Sequence, residues 1–274
     1  MRYHTILVHL QLGRPHAALL HLAGRVADRF GARIIGVAAS APLQALIAEG
    51  CTDSPLVEDE LDELRREMAL AEQAFYSALG ERAECVEWRA NSRAASVAGF
   101  VAEVARGADL ILTDAAPGGP LDTQRQLQVS ELLMRAGRPV LIAPASAGPL
   151  LFRHALLAWD DSRECRRAAV DALPLLRDAA RVSIVQVADD NDHGAVLQQL
   201  ESVAAWLRSH GVGAHAVMLP PAGGPPRLGA IAVDQACDLI VAGAYGHSRL
   251  REWALGGVTR ALVAQQHVAV LLSH

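Results

Sequence analysis

The sequence repeats one order of strand-like and helix-like segments twice, and this repeat restricts the possible folds more than any other feature. Apolar runs predict strands at 4–10, 32–38, 84–88, 109–113 and 138–143, and again at 153–159, 182–187, 215–219, 238–242 and 268–272. Segments with helical spacing lie between them, at 15–31, 56–80, 93–107, 126–137, 163–178, 193–210, 227–236 and 255–266. One constant offset aligns the last part of both halves without a gap, so that Asp109-Leu110-Ile111 falls on Asp238-Leu239-Ile240. The halves are therefore two copies of one α/β unit.

Strands that alternate with helices predict a parallel sheet, and right-handed crossovers favour a doubly wound topology. We expect two tandem domains, each a five-stranded parallel sheet of order 3-2-1-4-5 with helices on both faces. The segment PASAGP at 144–149 is typical of a linker and divides the chain into domains 1–147 and 150–274. In such sheets, ligands bind beyond the carboxyl ends of the strands.

Composition excludes several classes of function. The chain has 274 residues, of which 51% are hydrophobic, and this is enough for a sizeable core. A formal charge of -5 provides no basic field for a nucleic-acid backbone. The 4 cysteines form no CxxC pair, which argues against a zinc knuckle and against a disulfide framework. Because no apolar run approaches the length of a membrane span, we expect a cytoplasmic protein without a membrane partner.

The loop after the strand at 238–242 is rich in glycine. Gly243 and Gly246 bracket a turn, and Gly256 and Gly257 lie where the next helix begins. Glycines let backbone N–H groups approach an anion, and a helix N-terminus adds free donors, so the segment predicts a phosphate cradle. The alternative is that the glycines only allow the chain to turn. In the first half the aligned residues are Asp114, Pro117, Leu127 and Gln128, and we interpret that half as a scaffold that does not bind phosphate in this manner.

These residues carry a resemblance to a known family. The spacing G-x2-G-x9-G, followed by Gly257-Val258-Thr259, resembles the nucleotide loop of the universal stress protein family. DLIVAGAYGHSRL is similar to the family's fourth-strand segment, and RHALLAWDDSRECRRAAVDAL is similar to its first strand and helix. The resemblance is strong over 152–274 and weak over 1–144. It implies a tandem protein with two family domains, of which the first is degenerate.

Carried over by position, the resemblance implies that ATP, with Mg²⁺, binds in the second half. Asp160 would meet the adenine or ribose, and Val187 would pair with the base through its backbone. The remaining predicted site residues lie in or beside the glycine loop: Ala242, Gly243, Gly246, His247, Gly256, Gly257 and Val258.

The sequence departs from the family pattern at two positions. Nucleotide-binding members have Ser or Thr where this chain has Gly257, and the loss of one hydrogen bond to an anion costs about 1.5–3 kcal/mol. They commonly have Gly where this chain has Asp161. That carboxylate opposes binding if it faces the phosphates and is only a helix-entry residue if it turns outward.

The resemblance implies a cytoplasmic stress-response factor that acts as a binding module. No residue set supplies a general base and an in-line water, so we expect no catalytic or metal residues and at most slow ATP hydrolysis. One alternative is a nucleotide-free regulatory or interaction protein of the same fold. A third interpretation is a nucleotide-transferring enzyme.

Two surface features complete the expectations. The last strand of each half would leave an apolar edge unpaired. Single-domain members of the family that the sequence resembles are understood to dimerise through this strand, so the resemblance implies that 139–143 pair antiparallel with 268–272 and that the chain is its own pseudo-dimer. The charged helix at 56–80 has either an ordinary solvated face or an acidic surface that docks a partner.

Overall fold

The fold was analysed in a computed structural model that describes residues 2–41, 55–81, 86–114, 124–144, 152–187, 193–220, 228–245, 257–264 and 267–274. The chain forms two compact units. The N-terminal unit is Tyr3–Arg138, and the C-terminal unit is Pro139–His274 together with Arg2.

The N-terminal unit has a parallel sheet of strand order β3-β2-β1-β4. Its strands are β1 (Thr5–His9), β2 (Arg33–Ala39), β3 (Val86–Asn91) and β4 (Leu110–Asp114). Its helices are α1 (Ala17–Phe30), α2 (Pro55–Leu79), α3 (Val97–Val104) and α4 (Val129–Ala136), and the 3₁₀ turn Ala105–Gly107 follows α3. Strands β1 and β4 are almost wholly buried, whereas β3 is half-buried or exposed along its length.

The C-terminal unit has the strand order β8-β7-β6-β9-β10-β5. Its strands are β5 (Val140–Ala143), β6 (His154–Ala158), β7 (Arg181–Val187), β8 (Ala214–Leu219), β9 (Leu239–Gly243) and β10 (Ala269–Ser273). Its helices are α5 (Arg163–Leu176), α6 (His193–Ser209), α7 (Leu228–Asp234) and α8 (Gly257–Ala264). Strands β6 to β10 pair in parallel, and β5 is antiparallel to β10.

The predicted α/β fold is confirmed. Strand order 3-2-1-4-5 is complete in the second half as β8-β7-β6-β9-β10, and each predicted strand and helix is present within a few residues of its expected bounds. The constant offset also holds in space, because β4 ends at Asp114 and β9 ends at the aligned Gly243.

The predicted pairing of the two final strands is confirmed as well. Ile142 lies opposite Val270, and Val140 lies opposite Leu272. All four of these side chains are buried. Because β5 belongs to the C-terminal unit, the compact units divide earlier in the chain than the sequence repeats do, and the domains 1–147 and 150–274 stay a prediction.

Helix α2 covers the charged segment predicted at 56–80. Phe75 is fully buried and contacts the ring of Trp88 at a centroid distance of 5.4 Å, while Asp62 and Arg65 form an exposed ion pair. A partner-docking role for the exposed side of α2 stays a prediction. In the part of the chain that the structure describes, no helix has the length and apolar character needed to cross a bilayer.

Candidate functional site

The predicted site lies at the carboxyl edge of the C-terminal sheet. Strand β6 lies between β7 and β9, so the residues that follow these three strands share one edge. Asp160 follows β6, Val187 ends β7, and Ala242 and Gly243 end β9. Gly257 and Val258 form the start of α8. Gly246, His247 and Gly256 lie outside the described residues.

The entry to α5 is fixed by hydrogen bonds from its own segment. Ser162 is the N-cap, and its Oγ accepts a hydrogen bond from the backbone N–H of Cys165 at 3.1 Å. The Oδ1 atom of Asp160 accepts from both the backbone N–H and the hydroxyl of Ser162, at 3.0 and 2.6 Å. Asp160 therefore organises the helix entry, whatever it contributes to a ligand.

The side chain of Asp161 turns outward, which is one of the two possibilities that the sequence left open. Its backbone is left-handed, with φ 57°, a conformation that Asp tolerates better than most residues and that glycine adopts without strain. Its carboxylate accepts two hydrogen bonds from the exposed guanidinium of Arg166, at 2.7 and 3.1 Å. Of the two interpretations of Asp161, the structure matches that of a helix-entry residue whose charge is paired.

Glu164 supplies a negative charge inside the first turn of α5 that the sequence analysis missed. The residue is only 5% exposed, and Arg163 contacts its carboxylate at 2.7 Å. Burial raises the pKa of Glu164, but its own backbone N–H, Arg163 and His274 outweigh burial and hold the pKa below its usual value. With an N-cap serine and an ionised carboxylate in place, the N-terminus of α5 is a poor site for a phosphate.

Cys165, the next residue of α5, is not a nucleophile. Its thiol donates to the carbonyl of Ala158 at 3.1 Å, and burial raises its pKa to about 12. The thiol therefore stays protonated at physiological pH.

Gly243 is required by packing. A Cβ atom at this position would collide with the backbone nitrogen of Cys165 and lie 2.7 Å from the carbonyl carbon of Glu164. Beyond it, the N–H of Ala244 donates to the carbonyl of Ser273 at 2.8 Å, and the ring of His274 contacts the Ala244 carbonyl at 3.0 Å. The start of the glycine loop is thus held between α5 and the C-terminal residues.

The substitution Gly243→Ala should destabilise the C-terminal unit by about 2–3 kcal/mol, because backbone atoms of α5 must move to admit one methyl group. Gly257→Ala is the matched control, since a Cβ at Gly257 meets no atom of the described residues within 4 Å. Urea unfolding of the two variants measures the difference. Equal stabilities would contradict the packing role of Gly243.

At the ends of β6 and β7, two buried polar atoms lack hydrogen-bond partners among the described residues. They are Nε1 of Trp159, which is 7% exposed, and Oε1 of Gln186, which precedes Val187. Buried polar groups in native proteins are normally satisfied by protein, water or ligand. The carboxyl ends of β6 and β7 therefore offer one donor and one acceptor that a bound molecule could use.

Sequence reasoning identified the strand ends but missed the residues that surround the loop. Glu164 could have been suspected from its place in the first turn of a helix, where acidic residues are common. No sequence signal linked His274 to Ala244, since 30 positions separate them along the chain.

The structure defines a protein with two Rossmann-like α/β repeats, and solved structures share this arrangement over the whole chain. A universal stress protein from Archaeoglobus fulgidus is 18% identical, with a TM-score of 0.67 over 98% of this chain and 95% of its own. A putative universal stress protein from Pseudomonas aeruginosa is 17% identical, with a TM-score of 0.66 over 99% and 93%. A functionally unknown protein from the same species is 16% identical, with a TM-score of 0.66 over 99% and 92%.

The chain has the tandem fold of universal stress proteins. The fold that the sequence resemblance implied is therefore confirmed over both halves. No protein-family model and no curated protein matches the sequence.

Proposed function

We propose that this chain is a tandem universal stress protein whose C-terminal unit binds ATP or a related adenine nucleotide and acts as a binding module. The observation that carries the proposal is the glycine at the N-terminus of α8. Gly257 is exposed, begins the helix, and has no atom of the described residues within 4 Å of the position of a Cβ. Free backbone N–H groups and the positive end of the helix dipole favour an anion at such a terminus.

The residues at the N-termini of α5 and α8 differ, and this difference determines how the nucleotide would be oriented. The N-terminus of α5 carries Ser162 and the ionised Glu164, so the phosphates would lie toward α8. The base would lie at the ends of β6 and β7, where Gln186 and Trp159 have buried polar atoms without partners among the described residues, and it would pair with the backbone of Val187. Gly243, Gly246, Gly256 and Val258 would surround the ribose and phosphates, with Mg²⁺ accompanying ATP.

The proposal assigns no catalytic residue. The described residues contain no group of three or more side chains suited to a metal ion. The Cys165 thiol is protonated, and Asp160 and Asp161 already accept hydrogen bonds at the helix entry. Any ATP hydrolysis should therefore be slow. A role in the stress response and a cytoplasmic location stay predictions.

Restoring a hydroxyl at position 257 tests the phosphate-binding role of α8. Gly257→Ser should tighten ATP binding by about tenfold, because it adds a hydrogen bond to an anion at a position with room for the side chain. Gly257→Ala is the matched control and should leave affinity unchanged or slightly lower. Isothermal titration of the full chain with ATP and magnesium measures both.

The same titration separates the proposal from its alternatives. One site per chain is expected, since the N-terminal unit has Asp114 where the C-terminal unit has Gly243. Equal affinities for the Ser and Ala variants would show that α8 does not contact phosphate. Absence of binding at millimolar ATP would favour a nucleotide-free regulatory protein.

A further inference from the structure

The N-terminal unit has its own group of buried polar side chains at the carboxyl ends of β1 and β4. These strands pair in parallel, with Val8 opposite Leu112, so His9 and Asp114 end neighbouring strands. The imidazole Nδ1 of His9 lies 3.1 Å from the hydroxyl of Thr113. His9 is 0% exposed. Polar side chains therefore lie at the carboxyl edge of this unit's sheet.

Two further buried residues belong to this group. Gln11 is 3% exposed and follows β1, and His16 is 8% exposed and is the N-cap of α1. His16 lies close enough to His9 that its charge contributes to lowering the pKa of His9. The segment between β1 and α1 therefore places an amide and two imidazoles beside the end of β4.

Four atoms in this group are shielded from solvent and have no hydrogen-bond partner among the described residues: Nε2 of His9, Nε2 of Gln11, Nδ1 of His16 and Oδ1 of Asp114. Each unsatisfied buried group costs about 1–3 kcal/mol. Native structures leave only a few such groups per hundred residues, and they seldom occur together without bound water or a ligand. The concentration of four at a ligand-binding edge of the fold calls for a bound partner.

The charges of these side chains indicate which class of molecule they bind. Burial lowers the pKa of both His9 and His16, so both rings are neutral at physiological pH. Burial raises the pKa of Asp114, against the opposing charge of Arg14. Arg125 is engaged with Glu67, whose carboxylate lies 2.9 Å away. His9, His16 and Asp114 therefore carry no positive charge that would favour a phosphate, and the Asp114 carboxyl would repel one.

We propose that the carboxyl edge of β1 and β4 binds a small uncharged molecule that both donates and accepts hydrogen bonds, in the class of sugars and nucleosides. The amide nitrogen of Gln11 donates to it, the carboxyl of Asp114 accepts from it, and the free nitrogens of His9 and His16 take the role that their tautomers allow. The described residues hold no set of three metal-ligating side chains, so the group does not match a metal site. On this proposal, the N-terminal unit lacks the glycine cradle because it binds a different ligand.

Matched pairs of probes test this chemistry on the full chain. Cytidine and glucose are uncharged, and CMP and glucose 6-phosphate are their phosphorylated counterparts. At 5 mM, cytidine or glucose should raise the unfolding midpoint of the chain by at least about 2 °C, and the corresponding phosphate ester should have less effect. The pair that responds distinguishes a nucleoside from a sugar.

Two variants assign any shift to this unit. Gln11→Leu removes a buried amide whose Nε2 has no partner among the described residues; the variant should fold, and it should abolish the shift. Gln186→Leu is the matched control, since the buried Oε1 of Gln186 likewise has no partner in the described part of the chain and lies at the equivalent edge of the other unit, and it should keep the shift. This test is independent of ATP binding by the C-terminal unit.

Three results would overturn the proposal. No shift with either uncharged probe would show that water alone satisfies the group. A stronger effect of either phosphate ester that is lost in Gln11→Leu would contradict the uncharged ligand class. A shift that persists in Gln11→Leu and disappears in Gln186→Leu would place the ligand in the C-terminal unit.

Discussion

Acidification from pH 7 to pH 4 is expected to lower the free energy of unfolding of the N-terminal unit by about 3 kcal/mol through His9 alone. Burial, with a smaller contribution from the charge of His16, lowers the pKa of His9 from 6.5 to about 3. Below pH 6.5 the unfolded chain binds a proton that the folded chain excludes. Stability is therefore fully present above the unfolded pKa and is lost as the pH falls toward the folded pKa.

Neighbouring groups modify this dependence in known directions. The lowered pKa of His16 adds to the loss, and the raised pKa of Asp114 offsets part of it because the folded state binds that proton more readily. Urea unfolding at several pH values measures the slope. His9→Gln should flatten the slope between pH 6.5 and 4, whereas His4→Gln, at an exposed position, should leave it unchanged. An unchanged slope in His9→Gln would contradict the burial of a neutral imidazole.

The fold could be predicted from the sequence because its signals are local and repeated. DLILT and DLIVA are apolar runs that fit only buried strands, and they became β4 and β9 with matched bounds. Edge physics predicts only that the apolar strands β5 and β10 need partners, and the antiparallel pairing between them was implied by the family resemblance.

The site was less predictable, because its features depend on contacts between distant segments. The sequence predicts that Gly243 is part of a phosphate cradle. The structure shows a different reason for the glycine: the α5 backbone at Glu164 and Cys165 lies too close to admit a Cβ atom. The outward direction of Asp161 depends on Arg166, and neither spacing nor composition fixes such a pair. The polar group of His9, Gln11 and His16 became visible only when burial was known, since each residue alone is unremarkable in a sequence.

Removal of β5 is expected to change the association state of the C-terminal half. In the full chain, Val140, Leu141 and Ile142 cover the edge of β10, and β10 is buried along its whole length. A fragment of residues 150–274 retains β10 but lacks β5, so the backbone N–H and C=O groups of that edge lose their partners. Antiparallel pairing of two fragments through β10 restores those hydrogen bonds, and we expect a homodimer or larger aggregate at micromolar concentration.

A fragment of residues 139–274 is the matched control, because it keeps β5 on β10. Its own edge strand is only 4 residues long, and short edges are weaker templates for association than long ones. Light scattering and sedimentation of both fragments should show clearly weaker association of the longer one. If 150–274 is a stable monomer, the pairing of β5 with β10 is dispensable for the C-terminal half, and edge protection does not explain why β5 joins that unit.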